Sequence, residues 1–160
     1  MKSVIVYFSL EGNTHLVAKM IAERTGADLI RLEPEKEYQS SGFGKYFYGG
    51  KSVIFNEKPK LLNENLNLND YDTVIIGTPI WASSFTPPIN TFLSENVIKD
   101  KNIFLFATCR GGDTDKCFEK MKGKLTRNQI KGTAEFNGVN KMSAKELDDK
   151  VRKFCQTFNN

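Results

Sequence analysis

Several kinds of chemistry are missing from this sequence of 160 residues. It holds one histidine, His15, which removes histidine-rich metal centres from consideration. Its three cysteines, Cys109, Cys117 and Cys155, are odd in number and form no C-x-x-C pair, so they read as reduced thiols rather than as a disulfide framework or zinc site. No apolar run approaches a membrane span, and the opening MKSVIVYF is too short and too weakly charged for a secretory signal. We expect a cytoplasmic protein that does not enter the membrane. The 23 Lys plus Arg exceed the 19 Asp plus Glu by four, yet they form no stripe interleaved with aromatics. Nucleic acid is therefore not an expected partner.

What is present centres on residues 4–22, VIVYFSLEGNTHLVAKMIA. The run from Val4 to Phe8 is β-branched and aromatic throughout, as a strand buried on both faces reads. After a short polar loop, Leu16, Val17, Met20 and Ile21 fall on one helical face, with Asn13 or Thr14 as N-cap. The loop 9–14 thus lies where a strand's carboxyl end meets a helix's amino end, an anion site by virtue of unpaired N–H groups and the helix dipole. Gly12 allows close backbone approach, and Ser9, Asn13 and Thr14 add side-chain donors. The loop has no Gly-Lys-Ser/Thr ending and no G-x-G-x-x-G, which excludes the nucleoside triphosphate cradle and argues against a dinucleotide. Hydroxyls and amides without a cation suit one terminal phosphate.

The remaining chain repeats the strand-then-helix alternation within one domain, residues 1–160, long enough to bury roughly 70% of its unfolded surface. Residues 28–32 read as a short edge strand. Residues 34–69 form a long crossover whose centre, 42–51, is rich in glycine and aromatics; a turn or two of helix is expected over 43–48 and a loop after Pro59. Residues 71–77 are a third strand, followed by Thr86 as N-cap, Pro87 as first helical residue and an apolar face of Ile89, Phe92, Leu93 and Val97. The intervening stretch around Ile80, Trp81 and Ala82 has no glycine, so positive φ there costs on the order of 1 kcal/mol. Residues 101–107 are a fourth strand leading into the small-residue loop 108–113 and a helix with Cys117, Phe118, Met121 and Leu125 inward. Residues 130–136 are a fifth strand, and Ser143 with Glu146 forms a capping box before a helix facing inward with Leu147, Val151, Phe154 and Phe158.

Five such units predict an α/β fold: a doubly wound five-stranded parallel sheet of order 2-1-3-4-5 with right-handed crossovers. Strands one, three and four are then neighbours, and ligands bind at carboxyl strand ends where the winding reverses. The loops 9–14, 78–82 and 108–113 converge there.

Together these motifs resemble the flavodoxin family over essentially the whole chain. Loop 9–14 resembles its phosphate loop, the Thr78, Pro79, Ile80 and Trp81 run with Pro87 and Pro88 resembles the loop that covers one flavin face, and residues 44–51 are similar to a branch of small flavodoxin-like proteins from anaerobic microbes. The resemblance implies flavin mononucleotide, FMN, and electron transfer. Carried over by position, Ser9, Leu10, Glu11, Gly12, Asn13 and Thr14 form the phosphate loop; Thr78, Pro79, Ile80, Trp81 and Ala82 meet the isoalloxazine; Thr108, Cys109, Arg110, Gly111, Gly112 and Asp113 meet its pyrimidine end. The implied role is a carrier that docks on redox proteins. The alternative is an FMN-dependent NAD(P)H:quinone or small-acceptor oxidoreductase, and a flavin-free binding domain is a third reading. Three departures stand out. Glu11 replaces the usual Thr, the 108–113 loop has no aromatic, and the net charge is positive. Trp81 is expected against the isoalloxazine and residues 42–51 beside the flavin edge. A monomer and a dimer both remain open.

Overall fold

The computed structural model describes residues 2–38, 56–63 and 66–159. The first apolar run forms strand β1 (Ser3–Tyr7), with Val4, Ile5 and Val6 wholly buried. Helix α1 (Asn13–Thr25), β2 (Asp28–Arg31), β3 (Thr73–Pro79), α2 (Pro87–Glu95), β4 (Asn102–Cys109), α3 (Thr114–Lys124), β5 (Gln129–Asn137) and α4 (Ala144–Gln156) follow. Every strand pair is parallel and the order is β2-β1-β3-β4-β5, the expected doubly wound sheet.

Alternation along the strands divides the core in two, because successive side chains leave a strand on opposite faces. Val4, Val6, Val74, Ile76 and Leu105 face α2 and α3, meeting Ile89, Phe92, Cys117 and Met121. Ile5, Ile75, Phe104 and Phe106 face α1 and α4, meeting Val17, Ile21, Val151 and Phe154. The capping box of Ser143 and Glu146 starts α4 as expected. Among the described residues no helix is long and apolar enough to cross a membrane.

The structure shifts several boundaries. β3 and β4 each run two residues past the sequence expectation, because backbone pairing continues through Thr78 with Ala107 and Pro79 with Thr108. The N-cap of α1 is Gly12, at φ 101°, not Asn13 or Thr14, which lie inside the helix. Its buried face is Thr14, Val17, Ala18 and Ile21, and Leu16 is 44% exposed, since the helix meets the sheet about one position further round. Val97 lies beyond the end of α2 and is 77% exposed. The helix expected over 43–48 and the 42–51 patch fall outside the described residues. The two arms of that crossover do meet: Pro34 and Leu61 form an antiparallel bridge, Glu35 N–H donates to Lys60 O at 2.8 Å and Leu62 N–H to Glu33 O at 2.7 Å.

Gly77 fixes the middle of the sheet. It pairs with Tyr7 on one side and Phe106 on the other, and a Cβ there would lie 2.1 Å from Phe106 Cζ. Gly77→Ala is therefore expected to cost at least about 2 kcal/mol through overpacking. For a chain of this length a thermal melt should show a fall of roughly 4 to 8 °C. Phe106→Leu in the Gly77→Ala background should cost less than Phe106→Leu alone, because the two sites share one volume.

Candidate functional site

The carboxyl ends of β1, β3 and β4 open into one cavity of about 360 Å³, within the range of small-molecule sites. Its wall comes from three loops. The first contributes Ser9, Leu10, Glu11, Asn13 and Thr14; the second Pro79, Ile80, Trp81 and Ala82; the third Thr108, Cys109, Arg110 and Gly111. Four residues of the expected set stand behind this wall. Gly12 caps α1. Thr78 is buried, donating its hydroxyl to Pro79 O at 2.8 Å and accepting Thr86 N–H at 3.2 Å, so it braces the second loop against α2. Gly112 lies 3.8 Å from the Ile80 side chain if given a Cβ, and Asp113 accepts Lys116 N–H as the N-cap of α3.

The first loop is folded around the Ser9 hydroxyl. Ser9 Oγ accepts the N–H groups of Gly12 (3.2 Å) and His15 (3.1 Å), which folds the chain back on itself and leaves the serine hydrogen available to donate. Leu10, Asn13 and Thr14 line the cavity, and among the described residues no acceptor takes their backbone N–H groups. Those of Asn13 and Thr14 are orphan donors of a helix start, and that of Leu10 belongs to the loop before it. The loop sequence has no cation, but the fold brings one. Arg31, at the end of neighbouring β2, donates to Ser9 O at 2.9 Å. Behind it Tyr7 Oη and His15 Nδ1 share a 2.6 Å hydrogen bond, and burial raises the Tyr7 phenol above its ordinary pKa.

Three contacts tie the loops to one another. Thr14 Oγ1 and Thr108 Oγ1 hydrogen-bond at 2.7 Å across 94 residues, joining the first loop to the third. Ile80 N–H donates to Thr108 O at 3.0 Å, joining the second to the third. At the mouth Arg110 and Glu11 form an ion pair at 3.4 Å, with side chains 51% and 29% exposed. Glu11 is thus balanced by a cation from the third loop, and Arg110 reaches over the cavity toward the first. Burial raises the Cys109 thiol pKa, and its Sγ faces Glu135 Oε1 at 3.6 Å.

Trp81 forms part of the wall, packing edge-on against Phe8 and Tyr38. It sits at the start of a tight hairpin turn in which Trp81 and Ser84 exchange both backbone hydrogen bonds at 3.0 Å. The two central residues, Ala82 and Ser83, have φ of 48° and 56°. Positive φ at both is the signature of a type I′ turn, usually occupied by Asn-Gly. The glycine-free loop therefore holds two non-glycine residues in the left-handed region, where a Cβ is unfavourable.

Sequence reasoning missed Arg31, Phe8 and Tyr38 at this site. Arg31 ends β2 and Phe8 follows the end of β1 at the same rim, a position that could have flagged them; Tyr38 sits in the crossover, with no local signal.

The family model for flavodoxin matches residues 2–154. The chain belongs to the flavodoxin family. Solved structures similar to this chain include a candidate flavoprotein from Bacteroides uniformis, at 22% identity and TM-score 0.79 over 94% of this chain and 97% of that one. Another, from Bacteroides eggerthii, has 24% identity and TM-score 0.77 over 99% and 98%. A flavoprotein from Lactobacillus acidophilus, solved in complex with FMN, has 21% identity and TM-score 0.72 over 93% and 97%. At these identities the likeness is one of fold. No curated protein gives a significant match to the sequence.

The strained turn gives a direct test of the site's architecture. Ala82→Asn with Ser83→Gly installs the pair that type I′ turns favour, and should stabilise the protein by about 1 to 2 kcal/mol. The denaturant midpoint should rise with an unchanged slope.

Proposed function

We propose that this flavodoxin binds FMN in the cavity and serves as an electron carrier that docks on redox proteins. The observation that carries the cofactor is the start of α1, where the backbone N–H groups of Asn13 and Thr14 have no acceptor among the described residues, at a cavity whose wall also includes Trp81. A phosphate monoester satisfies those donors, and an apolar ring system suits Pro79, Ile80 and Trp81. FMN has both parts, and the Lactobacillus flavoprotein was solved with it.

In this reading Ser9, Asn13 and Thr14 hold the phosphate, with the dipole of α1 behind them. Thr14 and Thr108 share one hydrogen bond, so of their two hydroxyl hydrogens one is used and one is left for the ligand. Arg31 adds positive potential from behind Ser9. Trp81, Ile80 and Ala82 place the flavin ring, while Cys109, Arg110 and Gly111 meet its pyrimidine edge. Bound FMN supplies the redox chemistry. A cytoplasmic setting fits the free thiols of Cys109, Cys117 and Cys155.

The choice of carrier over reductase rests on what the described wall offers for moving protons. Its ionisable side chains are Glu11 and Arg110, paired with each other, and Cys109, whose thiol burial keeps protonated at neutral pH. A carrier needs no general acid beside its cofactor. A reductase gains from one poised at its substrate.

FMN should bind far more tightly than riboflavin, which lacks the phosphate; equal affinities by calorimetry would overturn the phosphate assignment. Thr14→Ala should cost about 1 to 2 kcal/mol of FMN affinity, through one lost charge-assisted hydrogen bond. Glu11→Thr should tighten FMN by removing like charge from beside the phosphate, and the gain should shrink as salt is added. NAD(P)H mixed with the yellow holoprotein should leave it yellow, and rapid bleaching would establish the reductase instead.

A further inference from the structure

Trp81 has two environments at once. Part of the side chain lines the cavity, while its ring stands edge-on to Phe8 at 5.9 Å and 88° and to Tyr38 at 5.2 Å and 74°. Phe8 and Tyr38 meet each other edge-on at 6.0 Å and 70°, so the three rings close a triangle. Backbone hydrogen bonds at Ile80, Trp81 and Ser84 fix where the Trp81 Cα sits. They do not fix its side-chain torsions, which are chosen by what the indole packs against.

The two neighbours differ in origin. Phe8 directly follows β1, buried and with its N–H donating to Gly77 O at 3.2 Å. Tyr38 comes from the crossover after β2, four residues beyond the bridge between Pro34 and Leu61. Burial, with Glu57 nearby, pushes the Tyr38 phenol up to about 12, so the ring stays neutral across the physiological range. One edge-to-face pair is worth about twofold to tenfold in an equilibrium between ring orientations. Without Tyr38, Phe8 is the one ring left edge-on to the indole among the described residues.

We infer that Tyr38 is a positioning residue for the cavity: with Phe8 it clamps the Trp81 indole edge-on, so that the ring forms a wall and does not fall into the space a ligand would occupy. The consequence for binding rests on the FMN reading; the clamp itself is a property of the ligand-free chain. The role belongs to the ring of Tyr38, since among the described residues no contact of its hydroxyl enters the geometry.

Trp81 is the only tryptophan, so its spectra report on this one site. The experiment compares Tyr38→Phe, which keeps the ring, with Tyr38→Leu, which keeps apolar bulk without it, by near-ultraviolet circular dichroism, tryptophan emission and FMN titration. Tyr38→Phe should match the wild type, with its FMN Kd within about twofold. Tyr38→Leu should lose the tryptophan bands, emit further to the red and bind FMN about tenfold more weakly. Unchanged bands in Tyr38→Leu would overturn the inference, as would an equal loss in Tyr38→Phe, which would assign the hold to the hydroxyl. If Tyr38→Leu does not fold, Tyr38→Met carries the same comparison. If the wild type itself does not bind FMN, the cofactor reading fails alone, because the bands of the ligand-free variants still decide the role of Tyr38.

Discussion

The winding of the sheet reverses between β1 and β3, and the site depends on that reversal. The chain leaves β1 through α1 on one face and leaves β3 through α2 on the other. Right-handed crossovers permit no other arrangement once the order is β2-β1-β3-β4-β5. The first turns of the two helices therefore diverge above adjacent strands, leaving the carboxyl ends between them uncovered. The cavity is the space that this divergence leaves.

A gap between strands becomes a binding site only when its walls hold their positions, and here the walls are cross-tied. The Thr14 and Thr108 hydroxyls, the Ile80 amide on Thr108 and the Arg110 to Glu11 pair each join loops far apart in sequence. The first two are shielded, where an unmade hydrogen bond would leave a polar group without water. The third is half in solvent and worth at most about 1 kcal/mol. The buried ties are thus the ones that set the cavity's shape, and the ion pair trims its mouth. Walls fixed before a ligand arrives reduce the ordering cost of binding.

The second loop works differently, holding its shape against a local preference. Ala82 and Ser83 sit at positive φ, and what keeps them there is the paired backbone of Trp81 and Ser84 together with the Thr78 hydroxyl bracing Pro79 and Thr86. Strain of this kind persists only where the surroundings over-determine the backbone. Its place in the cavity wall, beside the aromatic clamp, is where the tertiary structure concentrates such support.

The sequence alone determined the sheet and its order. Runs such as Val4 to Phe8 have no polar residue and can only be strands buried on both faces, and the alternation with helix-period segments admits few topologies. It also located the three loops, because each follows such a strand and breaks its pattern with small or polar residues. Tertiary structure decided what those residues touch. Thr78 turned inward because β3 gained a backbone partner as far as Pro79, and Glu11 met Arg110 across 99 positions, a pairing with no local signature. Arg31 reached Ser9 only through the pairing of β2 with β1, and Tyr38 reached Trp81 only through the closing of the crossover's two arms. Periodicity reports which face of an element is buried, since burial repeats along the chain. Contacts between distant loops do not repeat, so only the folded chain can set them.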